Sequence, residues 1–157
     1  RLWYFGPFFR YERPQKGRFR QFHQFGAECL SSPNPEADAE VLLMAHSLIN
    51  DLGIYDYTLN INSLGNSKSR DVYRDNLVKY FSKYENDLSE DSVRRLASNP
   101  LRILDSKDAK DIEIANDAPQ IIDSLDTESR THFDRVLNIL NWSGISNTNN
   151  STVKNRS

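Results

Sequence analysis

The sequence predicts an α+β chain, and three observations carry that prediction. Two aromatic-rich runs, Leu2 to Phe9 and Phe22 to Glu28, flank a strongly basic loop. Apolar residues then recur at helical spacing up to Leu52, and from Ser67 onward one helical pattern follows another. A strand repeats its faces every two residues and a helix every 3.6, so the two textures are separable by eye.

Taken in order, Leu2 to Phe9 reads as a strand despite its Gly6-Pro7 interruption, and Phe22 to Glu28 alternates enough to be its antiparallel partner. Ser31-Ser32-Pro33-Asn34-Pro35 is a turn cluster. Ala37, Val41, Leu42, Met44, Ala45, Leu48, Ile49 and Leu52 then mark a core-packed helix that ends at Gly53. Glu36 and Asp38 fall in its first turn, where acids complement the helix dipole, and this accounts for them without a metal. Tyr57 to Ile61 reads as a short strand closed by Gly65-Asn66.

A subdomain boundary is expected near Gly65, dividing residues 1–66 from a mainly helical unit over 67–145. Tyr73, Leu77, Tyr80, Phe81 and Tyr84 form one apolar stripe there, and Phe133, Val136, Leu137 and Leu140 another. Ser89 before Glu90-Asp91, and Asp126 or Thr127 before Glu128, are candidate N-caps; Asn99-Pro100 and Ala118-Pro119 break the helices between. Residues 146–157 are rich in Asn, Ser and Thr with almost nothing apolar, which predicts disorder.

Net charge is −2 and the sequence pI near 5.9, so the chain is not one that grips nucleic acid over its whole surface. The basic residues of the N-terminal end instead point to a local contact. Cys29 is the only cysteine, which excludes an internal disulfide and a Cys-based zinc site and reads as a buried, inert thiol in a reducing compartment. No apolar run approaches the ~20 residues of a membrane span, and Arg1-Leu2-Trp3-Tyr4-Phe5-Gly6-Pro7 lacks the regions of a signal peptide. The expectation is a soluble cytoplasmic chain. It opens without methionine and inside a strand, as a fragment would.

Between Phe9 and Gln24 stand four arginines, one lysine and several aromatics within sixteen residues. Arginine presents a planar fork that fits phosphate oxygens, and neighbouring rings offer faces on which a base can stack. Composition alone fits a basic hairpin on an ordinary surface equally well. The order of residues is more specific: Phe9-Arg10-Tyr11-Glu12-Arg13-Pro14-Gln15-Lys16-Gly17-Arg18-Phe19-Arg20-Gln21-Phe22-His23-Gln24-Phe25-Gly26-Ala27-Glu28 resembles the second signature motif of class II aminoacyl-tRNA synthetases, specifically the histidyl-tRNA synthetases. The resemblance continues through Asn34 to Glu40, Leu59 to Gly65, Asn99 to Lys107 and Asn116 to Pro119, and stops near Ile145.

The resemblance implies part of an antiparallel-sheet catalytic core plus a helical insertion that leans on the tRNA acceptor stem. It implies that Arg10 holds the ATP α-phosphate and Arg18 the terminal phosphate, that Glu12 contacts the adenine side, and that Phe22 stacks on the base. Gln24 and Glu28 match histidine-binding positions, and the resemblance places Arg10 at the histidine as well; being four apart on one strand, Gln24 and Glu28 share a face, with His23 on the other. Arg13, Lys16 and Arg20 are candidates for the tRNA acceptor end, or are solvated. His23, His46 and His132 read as structural, since neither a nearby nucleophile nor metal spacing accompanies them.

The implied activity is ATP-dependent formation of histidyl-adenylate and transfer to tRNA(His), with L-histidine, ATP carrying Mg²⁺, and tRNA(His) as partners, and neither membrane nor DNA. Homodimers are the family rule. The dimer-forming first motif, the Glu-Gly-Thr loop, the Arg-Gly-Leu-Asp-Tyr-Tyr segment, the third motif and the anticodon-binding domain lie outside this sequence. The alternatives are a non-catalytic nucleotide- or acceptor-binding remnant, one half of a split synthetase, and an unrelated basic-loop RNA-binding protein.

Overall fold

The computed structural model describes residues 1–145 and 147–149. β1 (Leu2–Phe9) and β2 (Gln21–Glu28) pair antiparallel, with Leu2 opposite Glu28 and Phe9 opposite Gln21. β2 starts one residue earlier than the alternation predicts because the ladder runs on past the strand ends, where Arg10 N donates to Arg20 O at 2.9 Å. Pro7 is tolerated because a two-stranded sheet leaves each strand an outer edge where no N–H is needed.

Alternation divides the hairpin into two faces. One carries Tyr4, Gly6, Phe8, Phe22, Gln24, Gly26 and Glu28; the other carries Trp3, Phe5, Phe9, His23 and Phe25. On the second face Trp3 is 74%, Phe5 67% and Phe9 73% exposed. A solvent-facing aromatic row beside open strand edges is a template for association. The 157-residue chain by itself is therefore expected to self-associate, and light scattering across a concentration series checks this; a monodisperse monomer at high concentration would contradict it.

α1 (Pro35–Asp51) ends as the sequence predicts, in a left-handed glycine. Gly53 has φ +77, its N–H reaches Asn50 O at 2.8 Å, and Ile54 N reaches Ile49 O at 3.1 Å, which together satisfy the orphan carbonyls of the last turn. The apolar stripe is only partly buried. Ala39, Leu42 and Leu43 pack inward, whereas Met44, Leu48 and Leu52 face solvent, so the expected core-packed helix is core-packed along one edge.

β3 (Leu59–Ile61) is shorter than expected. Gly65 follows it at φ +61, and a Cβ there would lie 2.7 Å from both Leu125 Cδ2 and Ser69 Cβ, so backbone conformation and packing each require glycine. α2 (Ser67–Phe81), α3 (Glu90–Ser98) and α4 (Ala109–Asn116) then enclose one core of Tyr73, Leu77, Phe81, Leu88, Ile103 and Ile121. Asn66, Ser89 and Asp108 cap them by accepting from backbone N–H groups of the first turns.

Asp111 ties this unit together. It is fully buried; Oδ1 accepts from Ser89 N at 2.9 Å, and Oδ2 from the hydroxyls of Ser89 at 2.7 Å and of Ser92 and Ser106 at 2.6 Å. Burial pushes its pKa up, but the hydrogen bonds from Ser106, Ser92 and Ser89 outweigh burial and bring it down to about 2. Nearby, burial chiefly, with Tyr84 alongside, raises the Tyr80 hydroxyl to about 12.

α5 (Thr127–Trp142), capped by Asp126, shares its core with α1 and β3 rather than with the helices before it: Val136, Leu140 and Ile145 pack with Ala39, Leu42 and Leu59. Arg135 Nε donates to Glu36 Oε1 at 2.9 Å, and this bond holds the Glu36 carboxyl below its usual range. His132 Nε2 meets Asp38 Oδ2 at 2.8 Å. The first-turn acids of α1 thus have partners on α5 as well as a helix dipole.

β4 (Asn147–Asn149) runs parallel to β3, Leu59 opposite Asn147 and Ile61 opposite Asn149. Composition predicts disorder from 146 onward, but backbone pairing does not require apolar side chains, and these three residues form a strand. Residues 146 and 150–157 of that expectation lie outside the described residues.

Candidate functional site

The end of the hairpin is built around Arg10. Its Nε donates to Phe19 O at 2.9 Å, and its guanidinium carbon sits 4.5 Å from the centroid of the Phe22 ring, a cation–π contact. The terminal nitrogens make no hydrogen bond among the described residues, so the two-pronged end of the fork is held in place and unspent. Phe22 in turn lies 6.2 Å from Phe8, and Phe8 5.5 Å from Tyr4, which makes the face a continuous aromatic floor.

The connecting loop is internally braced. Gln15 and Arg18 exchange backbone hydrogen bonds of 3.2 and 2.8 Å across Lys16-Gly17, and Gly17 takes φ +76 as the turn requires. Nothing lies within 4 Å of a Cβ built at Gly17, so its need for glycine is conformational. Glu12 is the acid at the centre: Arg18 Nη2 donates to its Oε1 at 2.8 Å, Arg18 Nε pairs with its Oε2, and Arg10 Nε stands 3.8 Å away. Arg20 Nε donates to the Glu12 carbonyl at 2.9 Å and stacks over Tyr11 at 5.7 Å. Arg20 thus braces the loop through its Nε while the residue remains exposed. Arg13 and Lys16 are exposed and unpaired among the described residues.

Gln24 and Glu28 fall on the Arg10 face and His23 on the other, stacked 6.0 Å from Phe5. Gln24 Nε2 donates to Tyr4 Oη at 3.1 Å, a contact that residue order alone does not reveal because it crosses the ladder diagonally. Glu28 is exposed at the strand end. Cys29 is half-buried rather than buried, since β2 ends just before it. His46 is held between Asn50, at 3.0 Å, and Tyr57. Among the described residues no group of three or more His, Cys, Asp or Glu is placed to hold a metal ion, and no helix is long and apolar enough to cross a membrane.

An arginine beside a stacking ring on an antiparallel hairpin, with a helix following, is what the resemblance to the second motif of class II aminoacyl-tRNA synthetases implies. Comparisons with known proteins narrow this class. A family model described as histidyl-tRNA synthetase matches residues 1–69. The histidine–tRNA ligase of Acaryochloris marina is 58% identical over 140 residues, covering 89% of this chain and 33% of the relative. That of Lactococcus lactis subsp. cremoris (strain MG1363) is 50% identical over 153 residues, 98% of this chain and 36% of the relative. The crystal structure of apo Staphylococcus aureus histidyl-tRNA synthetase superposes with a TM-score of 0.72 at 34% identity, covering 97% of this chain and 34% of that one.

Over nearly all of its length the chain is similar to part of a histidyl-tRNA synthetase. It spans about a third of the length of the curated relatives it matches. The Lactococcus match extends past Ile145, whereas the Acaryochloris match spans 140 residues.

Proposed function

We propose that this chain supplies the α-phosphate and histidine contacts of a histidine–tRNA ligase. The observation that carries the reading is the single hairpin face on which Arg10, Phe22, Gln24 and Glu28 lie together, with the Arg10 fork aligned over Phe22 and its terminal nitrogens unspent.

Activation is an in-line attack of the histidine carboxylate on the α-phosphorus of MgATP, with pyrophosphate leaving. Charge develops on the α-phosphate oxygens, and a pre-placed guanidinium stabilises it without reorganising at the moment of reaction. That is the role of Arg10. Phe22 offers its face to adenine, and Glu12 stands on the adenine side. Arg18 reaches the terminal phosphate, which must compete with Glu12 for it. Glu28 balances the substrate ammonium and Gln24 hydrogen-bonds the imidazole. A site built on such bonds rejects amino acids that leave them unmade. Mg²⁺ arrives with the nucleotide as substrate. Arg13 and Lys16, unpaired on the loop tip, are free to meet the acceptor end of tRNA(His), while Arg20 acts mainly as a brace. The helices α2 to α4, which share one core, lean on that acceptor stem. The reaction takes place in the cytoplasm, within the homodimeric arrangement of the family.

Histidine-dependent ATP–pyrophosphate exchange tests this. The chain alone is expected to be inactive, because catalytic contacts work as a unit. Mixed with the remaining part of a full-length relative, it is expected to exchange pyrophosphate only when histidine is present. Failure of a folded, associated mixture to do so would leave a non-catalytic nucleotide-binding remnant.

A further inference from the structure

The chain enters the bundle of α2 to α4 at Gly65-Asn66 and leaves it at Leu125-Asp126, and these two crossings touch. Asn66 is the N-cap of α2, its Oδ1 accepting from Ser69 N at 2.9 Å. Asp126 is the N-cap of α5, its Oδ1 accepting from Ser129 N at 2.9 Å. The polar atom that each cap leaves over is bonded to the other: Asn66 Nδ2 donates to Asp126 Oδ2 at 2.6 Å. Beneath that bond Asp126 N donates to the buried Ser69 Oγ at 3.0 Å, and the Leu125 side chain closes over Gly65. Hydrogen bonds from Ser129 and from Asn66 hold the Asp126 carboxyl below its usual range, so at neutral pH the contact joins an amide to a carboxylate ion.

On either side of the crossing lies a separate core. Tyr73, Leu77, Phe81 and Ile103 belong to the first, and Ala39, Leu59, Val136 and Leu140 to the second; the two share no residue among those described. Arg130, one turn along α5, adds a single bond between them through Ile122 O at 2.7 Å. Two bodies with their own cores, joined by two adjacent stretches of backbone, can turn about the junction without unpacking either.

We propose that Asn66 and Asp126 form a latch across a hinge: their bond holds the body of α2 to α4 at one angle to the body of α1, β3 and α5, and its release lets the first body swing while both cores and both caps stay intact. The latch is independent of which substrates the hairpin receives.

Asn, Asp and Ser cap helices about equally well. Asn66→Ser therefore keeps the cap of α2 but is too short to reach Asp126, and Asn66→Asp keeps the cap while setting a second carboxylate against the first. Combining Asn66→Asp with Asp126→Asn rebuilds the amide–carboxylate pair in reverse, again with two competent caps. Spin labels are placed at the exposed Ser47 of α1 and Ala97 of α3, in the 157-residue chain carrying Cys29→Ser. Labelled chain is diluted with unlabelled chain so that double electron–electron resonance reads distances within one molecule.

The parent is expected to give one narrow distribution. The ratio of displaced to latched molecules should rise about two- to tenfold in Asn66→Ser, the range that one neutral hydrogen bond carries, and further in Asn66→Asp, where repulsion is added. It should return to the parent value in the double exchange, with helix content by circular dichroism the same throughout. A broad parent distribution, or one unchanged in both single variants, would overturn the proposal. So would a double exchange as displaced as Asn66→Asp alone. Loss of helix in Asn66→Ser would make Asn66 a cap and nothing more, and would overturn it equally.

Discussion

Arg10→Ala is expected to weaken MgATP binding by about ten- to a hundredfold in the chain assembled with the rest of a relative. A charge-assisted hydrogen bond is typically worth roughly 1.5–3 kcal/mol, and each 1.4 kcal/mol is tenfold. The geometry favours a large effect: the Phe19 carbonyl and the Phe22 ring already hold the guanidinium, so little ordering is left to be done on binding. Arg10→Lys should recover only part of the loss, because an ammonium neither lies flat on the ring nor offers a fork. Arg13→Ala, which removes an exposed and unpaired side chain, should leave ATP affinity within about twofold. Calorimetric titration separates the cases. Equal losses at Arg10 and Arg13 would reduce the loop to an undifferentiated basic patch, and no loss at Arg10 would remove its assigned role.

Asp111→Asn is expected to destabilise the helical unit by about 3 kcal/mol at neutral pH, measured by urea unfolding. The substitution removes a buried negative charge on which one backbone N–H and three hydroxyls converge, and such bonds are worth roughly 1.5–3 kcal/mol each without being additive. The pH dependence has a definite sign. The folded-state pKa lies below the unfolded one, so the stabilisation is fully present above about pH 4 and is lost as the pH falls toward 2. The gap between parent and variant should narrow across that window. A gap that is absent at neutral pH, or that is constant down to pH 2, would show that Asp111 does not anchor the α3–α4 region.

The elements whose evidence is local were legible in the sequence. β1 and β2 announce themselves by alternation, and the ends of α1 and α3 by Gly53 and by Ser89 and Pro100. What periodicity cannot say is which side of an apolar stripe finds a partner. Met44 and Leu48 fit the stripe of α1 but face solvent, because α5 covers only the Ala39 and Leu42 edge. The Asp111 hub was invisible because two of its donors, Ser89 and Ser92, lie 22 and 19 residues before it at the start of another helix, and a lone aspartate in a helix reads as solvated. In the hairpin, alternation correctly put Gln24 and Glu28 together and His23 opposite. The Glu12–Arg18 pair and the Tyr4–Gln24 bond depend on how a loop folds and on a diagonal across the ladder, neither of which spacing encodes. β4 was missed because its composition is that of a linker.

The claim on which all else depends is that one face of the hairpin receives both substrates. NMR tests it most directly, with the 157-residue chain isotopically labelled and assembled with the unlabelled remainder of a relative. On adding MgATP, resonances of Arg10, Glu12, Arg18 and Phe22 should shift, and on then adding histidine those of Gln24 and Glu28, while Trp3, Phe5 and His23 on the opposite face stay still. Shifts centred on Trp3, Phe5 and His23, or confined to residues 67–145, would contradict it.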